Sequence, residues 1–299
     1  MTPSVLNPTR AVPNRTSGER DATRPQVRDQ TEPFVPQSDP NQKIRGGGEG
    51  IDLNCDVAEG FGAWRITDDD ALLGVVSSAN IACGFHAGDP GTMRRACETA
   101  VRNGVAIGAH VGYRDLAGFG RRYVDVPPAE LTDDVLYQLG ALHAFAAAAG
   151  GWVGYVKPHG ALYGTIGRDD AQAGAVVEAV HQFDATLPVL GLPGSRWLAI
   201  ADKAGLPVVR EAFLDRGYTP DGRLVPRRSP DALLSDPAAV AERCVRLAEA
   251  GEIVAVDGTV LTVDARSVCV HGDTPGALEL VTAAREALTG AGVTVRSFV

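Results

Sequence analysis

Residues 98–122, with the sequence ETAVRNGVAIGAHVGYRDLAGFGRR, contain the repeating unit that decides the fold. An amphipathic segment ends at Gly104, a short apolar run follows over 105–109, and His110 then opens a polar loop rich in glycine. A glycine suits the left-handed position that follows a helix, and a short apolar run is typical of a strand buried on both faces. The stretch therefore predicts a helix, a strand and a loop in succession, which is one βα unit.

The same unit recurs from Ile51 to the end of the chain. Polar residues gather after several different strands, as they do at the C-terminal face of a barrel, and no G-x-G-x-x-G or P-loop motif indicates an open nucleotide-binding sheet. We therefore predict an α/β fold, a (β/α) barrel of seven or eight parallel strands, with Asp257-Gly258 turning a small inserted hairpin near 254–263. The predicted strands are 51–54, 80–83, 105–109, 152–157, 187–190, 207–210 and 268–270.

Composition narrows the classes of function. The net charge of −9 opposes binding to nucleic acid, and no apolar run is long enough to span a membrane, so we expect a cytoplasmic protein. Five cysteines without a C-x-x-C pair favour neither a disulfide scaffold nor a thiolate zinc site. Residues 1–48 are rich in Pro, Arg, Ser and Thr and are predicted to form a disordered leader, which leaves 49–299 as a single catalytic barrel domain.

Two carboxylates follow the first predicted strand. Asn54 and Asp56 alternate onto one face of that strand, and Glu59 falls in the loop after it. Carboxylates at a barrel mouth suit acid/base chemistry or a hard cation, whereas the structural alternative is a turn cap and a solvated side chain. Asp89, which precedes Pro90, fits a helix N-cap and a chemical role equally well.

Four histidines, His86, His110, His159 and His271, stand at the ends of predicted strands and are expected to meet at one face of the barrel. His143 and His181 lie in helical segments and are expected to be structural or exposed.

Lys157 shares a face with His159, and it is one of only three lysines in a chain with 25 arginines. An embedded lysine predicts a functional ammonium, whose pKa burial is expected to lower. Asp273 shares a face with His271, while Thr274-Pro275 resembles a helix start.

Several groups are candidates for binding an anion. Arg121 and Arg122 lie in a glycine-rich loop that resembles a mobile lid, although solvated charges are an equal alternative. Gly194 and Ser195 join a strand to a helix, where free N–H groups can hold phosphate. Asp215 and Arg216 follow the sixth strand and are either further site residues or a surface ion pair.

Six blocks of the sequence occur in the order typical of one family. They are LNCDVAEGFGAW (53–64), ANIACGFHAGDP (79–90), IGAHVGYRDLAGFGRR (107–122), VKPHGALY (156–163), EAFLDRGYTPDGRLVPR (211–227) and VCVHGDTPGA (268–277). In these blocks the chain, from about residue 51 to 299, resembles the LamB/YcsF family, which is the family of the A-type subunits of 5-oxoprolinase. It departs from the usual family residue at Ala58, Val111, Leu214 and Asp231.

The resemblance implies a seven-stranded (β/α) barrel of the glycoside hydrolase/deacetylase type. It also implies the ATP-dependent opening of 5-oxoproline (pyroglutamate) to glutamate, with Mg-ATP as cofactor and two further subunits, of B and C type, as partners. Under that hypothesis the carboxylates and four histidines supply acid/base groups, while Lys157 and Arg216 hold phosphate or carboxylate.

Two alternatives stay open. Asp and His at strand ends can also ligate zinc, as in a metal-dependent deacetylase, although an H-x-x-x-H pair is absent from the sequence. The chain can also be a non-catalytic subunit that only binds the lactam. The general base, the ATP site and any bound metal are not decided by the sequence.

Overall fold

The structure, a computed structural model, describes residues 50–299. The leader predicted over 1–48 lies outside the described residues. Within them, seven parallel strands close into a barrel in the order β1, β2, β3, β4, β5, β6, β9, with β9 pairing with both β1 and β6. The predicted seven-stranded barrel is confirmed. Its strands are β1 (Asp52–Val57), β2 (Ser78–Ala82), β3 (Ala106–His110), β4 (Val153–Val156), β5 (Val189–Gly191), β6 (Val208–Phe213) and β9 (Ser267–Val270).

The predicted hairpin is also present, outside the barrel. Strands β7 (Glu252–Val254) and β8 (Val260–Thr262) pair antiparallel. Gly258 adopts φ 89° in the turn, and the Asp257 carboxylate accepts from the Thr259 N–H at 3.0 Å. The Asp-Gly pair therefore turns the chain as the sequence predicts.

The helices surround the barrel and begin and end largely where their capping residues predict. Asp89 caps the second helix by accepting from the N–H groups of Gly91 and Thr92, and Gly104 ends the same helix in the left-handed conformation. Among residues 50–299, every helix is too short or too polar to span a lipid bilayer. The helices are α1 (Asp69–Leu72), α2 (Pro90–Asn103), α3 (Pro128–Ala148), α4 (Gly160–Ile166), α5 (Asp170–Phe183), α6 (Arg196–Lys203), α7 (Pro237–Ala250) and α8 (Ala277–Gly290), with 3₁₀ turns at Leu116–Gly118 and Pro230–Ala232.

The helix start predicted at Thr274-Pro275 is wrong. Helix α8 begins at Ala277, after Gly276, and the Thr274 hydroxyl donates instead to the Asp215 carboxylate at 2.8 Å. The Thr274 side chain therefore bonds to a residue in the loop after β6 and does not cap a helix.

The barrel interior holds a ladder of hydrogen-bonded polar side chains between apolar walls. The Asn80 amide donates to Asn54 Oδ1 at 2.7 Å and to Asp56 Oδ1 at 2.8 Å, and the Tyr155 hydroxyl donates to Asn80 Oδ1 at 2.7 Å. Buried polar groups destabilise a fold unless they are paired, and here each side chain of the ladder has a partner. These hydrogen bonds hold the rotamers of the side chains that lead to the mouth of the barrel.

Asp52 lies at the N-terminal end of this interior. Its carboxylate accepts from the hydroxyl groups of Ser77 at 2.7 Å, Ser78 at 2.6 Å and Ser267. Burial nevertheless outweighs these hydrogen bonds and raises the pKa of Asp52 to about 6.

This pKa predicts a pH-dependent stability. Between the ordinary value for aspartate and about 6, the folded chain binds a proton that the unfolded chain does not, so the Asp52 contribution to stability is lost as pH rises through that window. An Asp52→Asn variant lacks this dependence. From pH 4 to pH 7 its free energy of unfolding, measured in urea relative to the original chain, should therefore rise by about 2–3 kcal/mol. Parallel curves for the two chains would contradict the assignment.

Candidate functional site

The carboxyl ends of β1 to β4 bring six of the predicted residues into one buried group. Each side chain comes from the end of a strand or from the loop just after it, and each is at most 4 % exposed. These residues are Asp56, Glu59, His86, His110, Lys157 and His159.

Three imidazoles form the centre of this group. The rings of His86 and His159 are stacked with centroids 3.8 Å apart. The ring of His110 stands edge-on to both, at 5.4 Å from His86 and 4.8 Å from His159. The predicted meeting of histidines from separate βα loops is thus present for these three.

Backbone carbonyls orient two of the rings. His110 Nδ1 lies 2.9 Å from the carbonyl oxygen of Lys157, and His159 Nε2 lies 2.8 Å from that of Phe119. A carbonyl oxygen can only accept, so each of these nitrogens carries the proton. The remaining nitrogens, His110 Nε2 and His159 Nδ1, face one another at 3.0 Å.

Glu59 completes the cluster. Its Oε1 lies 3.2 Å from His159 Nδ1, 3.4 Å from His86 Nε2 and 3.8 Å from His110 Nε2. The preceding residue, Ala58, adopts φ 60°, the left-handed conformation that glycine favours, and ends the strand. A glycine would adopt this conformation with less strain than the alanine does.

Glycines let the loops approach the rings. A Cβ on Gly112 would lie 2.7 Å from His86 Nδ1, and a Cβ on Gly120 would lie 2.7 Å from His86 Cβ and 2.8 Å from His159 Cδ2. The loop after β3 therefore packs directly over the histidines, and larger residues at these positions would displace the rings.

Lys157 bridges the carboxylates beside the histidines. Its Nζ lies 2.9 Å from Glu211 Oε2, 3.0 Å from Asn54 Oδ1, 3.0 Å from Cys269 Sγ and 3.6 Å from Asp56 Oδ1. Burial acts to lower the pKa of Lys157, but these neighbours outweigh it and hold the pKa well above its ordinary value. The predicted lowering is wrong, and the ammonium is the charged centre of this network.

Glu211 is a site residue that sequence reasoning missed. It is fully buried, and its Oε1 and Oε2 have no hydrogen-bond partner in residues 50–299 other than the ion pair with Lys157. The sequence predicts that the sixth strand ends at residue 210, whereas β6 continues to Phe213 and carries Glu211 into the barrel. A signal is present in the sequence, since an acidic residue interrupts an apolar run.

Burial and the neighbouring charges shift the pKa values of the carboxylates and imidazoles in this site. His110 and Lys157 outweigh the effect of burial on Asp56 and hold its pKa well below the ordinary value, and His159 and His86 do the same for Glu59. Burial lowers the pKa of His86 to about 3 and also lowers that of His159. Burial alone would lower the pKa of His110, but Asp56 raises it above its ordinary value.

His271 stands next to this group and is held by Asp215. His271 Nδ1 lies 3.0 Å from Asp215 Oδ1, and the backbone N–H of His271 donates to Asp215 Oδ2 at 3.1 Å. Phe213 connects the two halves of the site, because its ring stacks on His271 at 5.0 Å and lies 5.0 Å from Lys157 Nζ. Asp215, predicted to belong to an anion site or a surface ion pair, is instead buried and orients this histidine.

The two arginines of the glycine-rich loop are both paired. Arg121 donates to Asp273, which also accepts from Arg227 at 2.9 Å, and Arg122 donates to Asp115. Asp273 thus ties the loop after β3 to the segment after β6 at the rim of the site. An anion that binds to Arg121 has to compete with this carboxylate.

The other predicted anion-binding groups are occupied by backbone contacts. Arg216 is buried and donates to the carbonyl oxygens of Ala232 at 3.1 Å and Val225 at 2.7 Å. These contacts do not support a phosphate-binding role for Arg216. Gly194 precedes Ser195, the N-cap of α6, whose N–H donates to Leu192 O at 3.2 Å. Anion binding by this loop stays a prediction.

A closed parallel barrel with ionisable groups buried at the carboxyl ends of its strands defines a (β/α)-barrel protein with an enzyme-like site. Within that class, the chain belongs to the LamB/YcsF family, whose sequence profile matches residues 51–299.

Named relatives agree with this assignment. The A-type subunit of 5-oxoprolinase from Streptomyces avermitilis is 62% identical over 248 residues, which are 83% of this chain and 99% of that protein. The protein of the same name from Mycobacterium avium is 60% identical over 249 residues, again 83% and 99% of the two chains. The crystal structure of the lactam utilization protein from Thermus thermophilus matches with a TM-score of 0.79 and 46% identity, over 83% of this chain and 99% of that one.

Proposed function

We propose that this chain is a catalytic subunit of a 5-oxoprolinase and opens the lactam of 5-oxoproline to give glutamate. The names of the relatives support the substrate. The observation that carries a catalytic role is the buried constellation of three imidazoles, the Asp56 and Glu59 carboxylates and the Lys157 ammonium at one barrel mouth. A protein that only bound a lactam would not need so many buried ionisable groups, each of which destabilises the fold unless it is paired.

The proposed reaction consumes one ATP and two waters and yields glutamate, ADP and phosphate. ATP transfers its terminal phosphoryl group to the lactam oxygen, which makes the resonance-stabilised amide a better electrophile. One water oxygen then adds to that carbon, the C–N bond breaks and the ring nitrogen gains a proton, and a second water releases the phosphate. Bases that accept protons from water and cations that stabilise the developing negative charge are needed at these steps.

The chain offers groups for both tasks. In this proposal Lys157 is the cation that stabilises charge on the lactam oxygen or its phosphate, and Asp56 Oδ1 lies 3.6 Å from its Nζ. Glu59 and the imidazoles around it are placed to take or give protons, as is His271, whose orientation Asp215 fixes.

ATP, as Mg-ATP, and two further subunits of B and C type complete the proposal. The described carboxylates offer oxygen ligands, but neither a P-loop nor a dinucleotide motif occurs in the sequence. The nucleotide is therefore expected to bind where subunits meet or on a partner.

Reconstitution tests the proposal directly. Glutamate and ADP are measured after 5-oxoproline and Mg-ATP are added to this chain alone, to the two partners alone and to the mixture of all three. We expect release of both products only from the full mixture, together with 5-oxoproline binding by this chain. Glutamate release by the partners without this chain would refute a catalytic role, and a full mixture that leaves 5-oxoproline intact would refute the substrate.

A further inference from the structure

Four potential ligand atoms converge inside the cluster of Glu59, His86, His110 and His159. One atom from each residue lies within 4.8 Å of all the others, and all four residues are buried. Four ligands placed tetrahedrally at zinc–nitrogen and zinc–oxygen bond lengths are separated from one another by about 3.3 Å. Four of the six separations between Glu59 Oε1, His86 Nε2, His110 Nε2 and His159 Nδ1 are 3.0, 3.2, 3.4 and 3.8 Å, which bracket that value.

Hydrogen bonds orient the rings of His110 and His159 so that one nitrogen lone pair of each points toward the centre of the cluster. The backbone carbonyls of Lys157 and Phe119 hold the protons on His110 Nδ1 and His159 Nε2, so the opposite nitrogen of each ring is unprotonated in the neutral form. This arrangement, in which a carbonyl fixes the tautomer of a histidine, is typical of histidines that ligate metals. Two such nitrogens that face one another at 3.0 Å repel unless a proton or a metal ion lies between or beside them.

Unpaired polar atoms provide a second, independent observation. Glu59 Oε1 and both ring nitrogens of His86 are buried and have no hydrogen-bond partner in the described part of the chain. A buried polar group without a partner destabilises the fold, and a charged one does so more strongly. A positive ion at the centre would be a partner for Glu59 Oε1 and for the nitrogen of His86 that faces it.

The donor set selects the class of ion. Three imidazole nitrogens and one carboxylate oxygen suit Zn²⁺ and its first-row neighbours, whereas Mg²⁺ and Ca²⁺ prefer oxygen ligands alone. No cysteine is involved, and the sequence motif that usually announces two zinc-binding histidines, H-x-x-x-H, is absent because each ligand comes from a different loop.

We propose that Glu59, His86, His110 and His159 form a binding site for one divalent transition-metal ion of the zinc or cobalt type. The proposal concerns the isolated chain and does not depend on the proposed lactam-opening reaction. If both hold, such an ion would supply a Lewis acid at the reacting centre, its four ligands would not transfer protons, and that task would fall to His271.

Metal binding is measured on the full-length chain. The purified protein is analysed for metal by mass spectrometry, stripped with a chelator and titrated with ZnCl₂ by calorimetry and with CoCl₂ by visible absorption. We expect one ion per chain, the intense d–d absorption of four-coordinate Co²⁺, an increase in melting temperature on binding, and no competition from excess Mg²⁺.

Two ligand variants and one control localise the site. Glu59→Gln keeps the shape of its side chain, and His86→Asn puts a smaller polar side chain in the same space, so both should fold and yet bind Zn²⁺ at least about 100-fold more weakly than the original chain. His181→Asn, which removes an exposed histidine on α5, should bind like the original chain.

Absence of a stoichiometric site in the stripped, folded chain would overturn the proposal, as would unchanged binding in both ligand variants. A shared proton rather than a metal would then hold the cluster together. If the chain binds no metal but the full mixture releases glutamate, only the metal site is refuted. If the chain binds metal but the full mixture releases no glutamate, only the proposed function is refuted.

Discussion

A Lys157→Met variant should reduce glutamate release by the reconstituted complex by about 10²–10³-fold, the effect of removing one preorganised group that stabilises charge in a buried site. Methionine keeps most of the length and apolar volume of the side chain, so the loss should follow from the missing ammonium. The rate constant for turnover should fall more than the affinity for 5-oxoproline, because the charge on the lactam oxygen develops during the reaction.

The same substitution should also destabilise the fold. Lys157 is the ion-pair partner of Glu211, and it lies 3.6 Å from Asp56. Removal of one partner from a buried pair leaves a charge without compensation and costs about 3–5 kcal/mol. Chemical denaturation of the isolated chain measures this loss.

Two further variants separate the catalytic effect from the structural one. Lys157→Met combined with Glu211→Gln removes the uncompensated carboxylate, so the double variant should regain part of the stability and none of the activity. Lys203→Met, which removes an exposed lysine at the end of α6, should match the original chain in both measurements. Full lactam-dependent ATP hydrolysis by Lys157→Met would eliminate its assignment.

The contrast between Lys157 and Glu211 shows what the sequence can and cannot predict. A lysine in an apolar strand, in a chain poor in lysine, is recognisable as functional. The direction of its pKa shift is not, because the shift depends on carboxylates delivered by β1 and β6, which are distant in the sequence. Local sequence patterns predict where the strands lie and which residues stand at their ends. They do not predict which charged side chains meet across the barrel, because that depends on how the barrel closes and on the register of its strands.

The same limit explains the arginines and the fourth histidine. The βα pattern places His86, His110 and His159 together correctly because every parallel strand delivers its end to the same face. It does not show that Arg216 holds the carbonyl groups of Val225 and Ala232, or that Asp215 holds His271. These contacts come from loop conformations after β6, for which the sequence has no periodic signal.

Asp215→Asn is expected to have the second large effect, through His271 rather than through the substrate. The Asp215 carboxylate accepts from the ring Nδ1 and the backbone N–H of His271 and from the Thr274 hydroxyl. An asparagine amide places N–H donors against some of these donors, so the ring should lose the tautomer that leaves Nε2 unprotonated. An Asp-to-Asn change with that consequence lowers turnover by about 10⁴-fold in serine proteases, and we expect about 10²–10⁴-fold here.

A double-mutant cycle decides whether Asp215 acts as a positioning residue. Turnover is measured for the Asp215→Asn, His271→Gln and combined variants in the full complex, with melting temperatures recorded for each. If Asp215 works by orienting His271, the combined variant should be no slower than His271→Gln alone, because the second change removes what the first disturbs. Losses that multiply in the double variant would show that the two side chains act independently. Equal activity of Asp215→Asn and the original chain would refute a positioning role for Asp215. Equal activity of His271→Gln would place His271 outside the reaction and restrict the catalytic groups to those around Glu59 and Lys157.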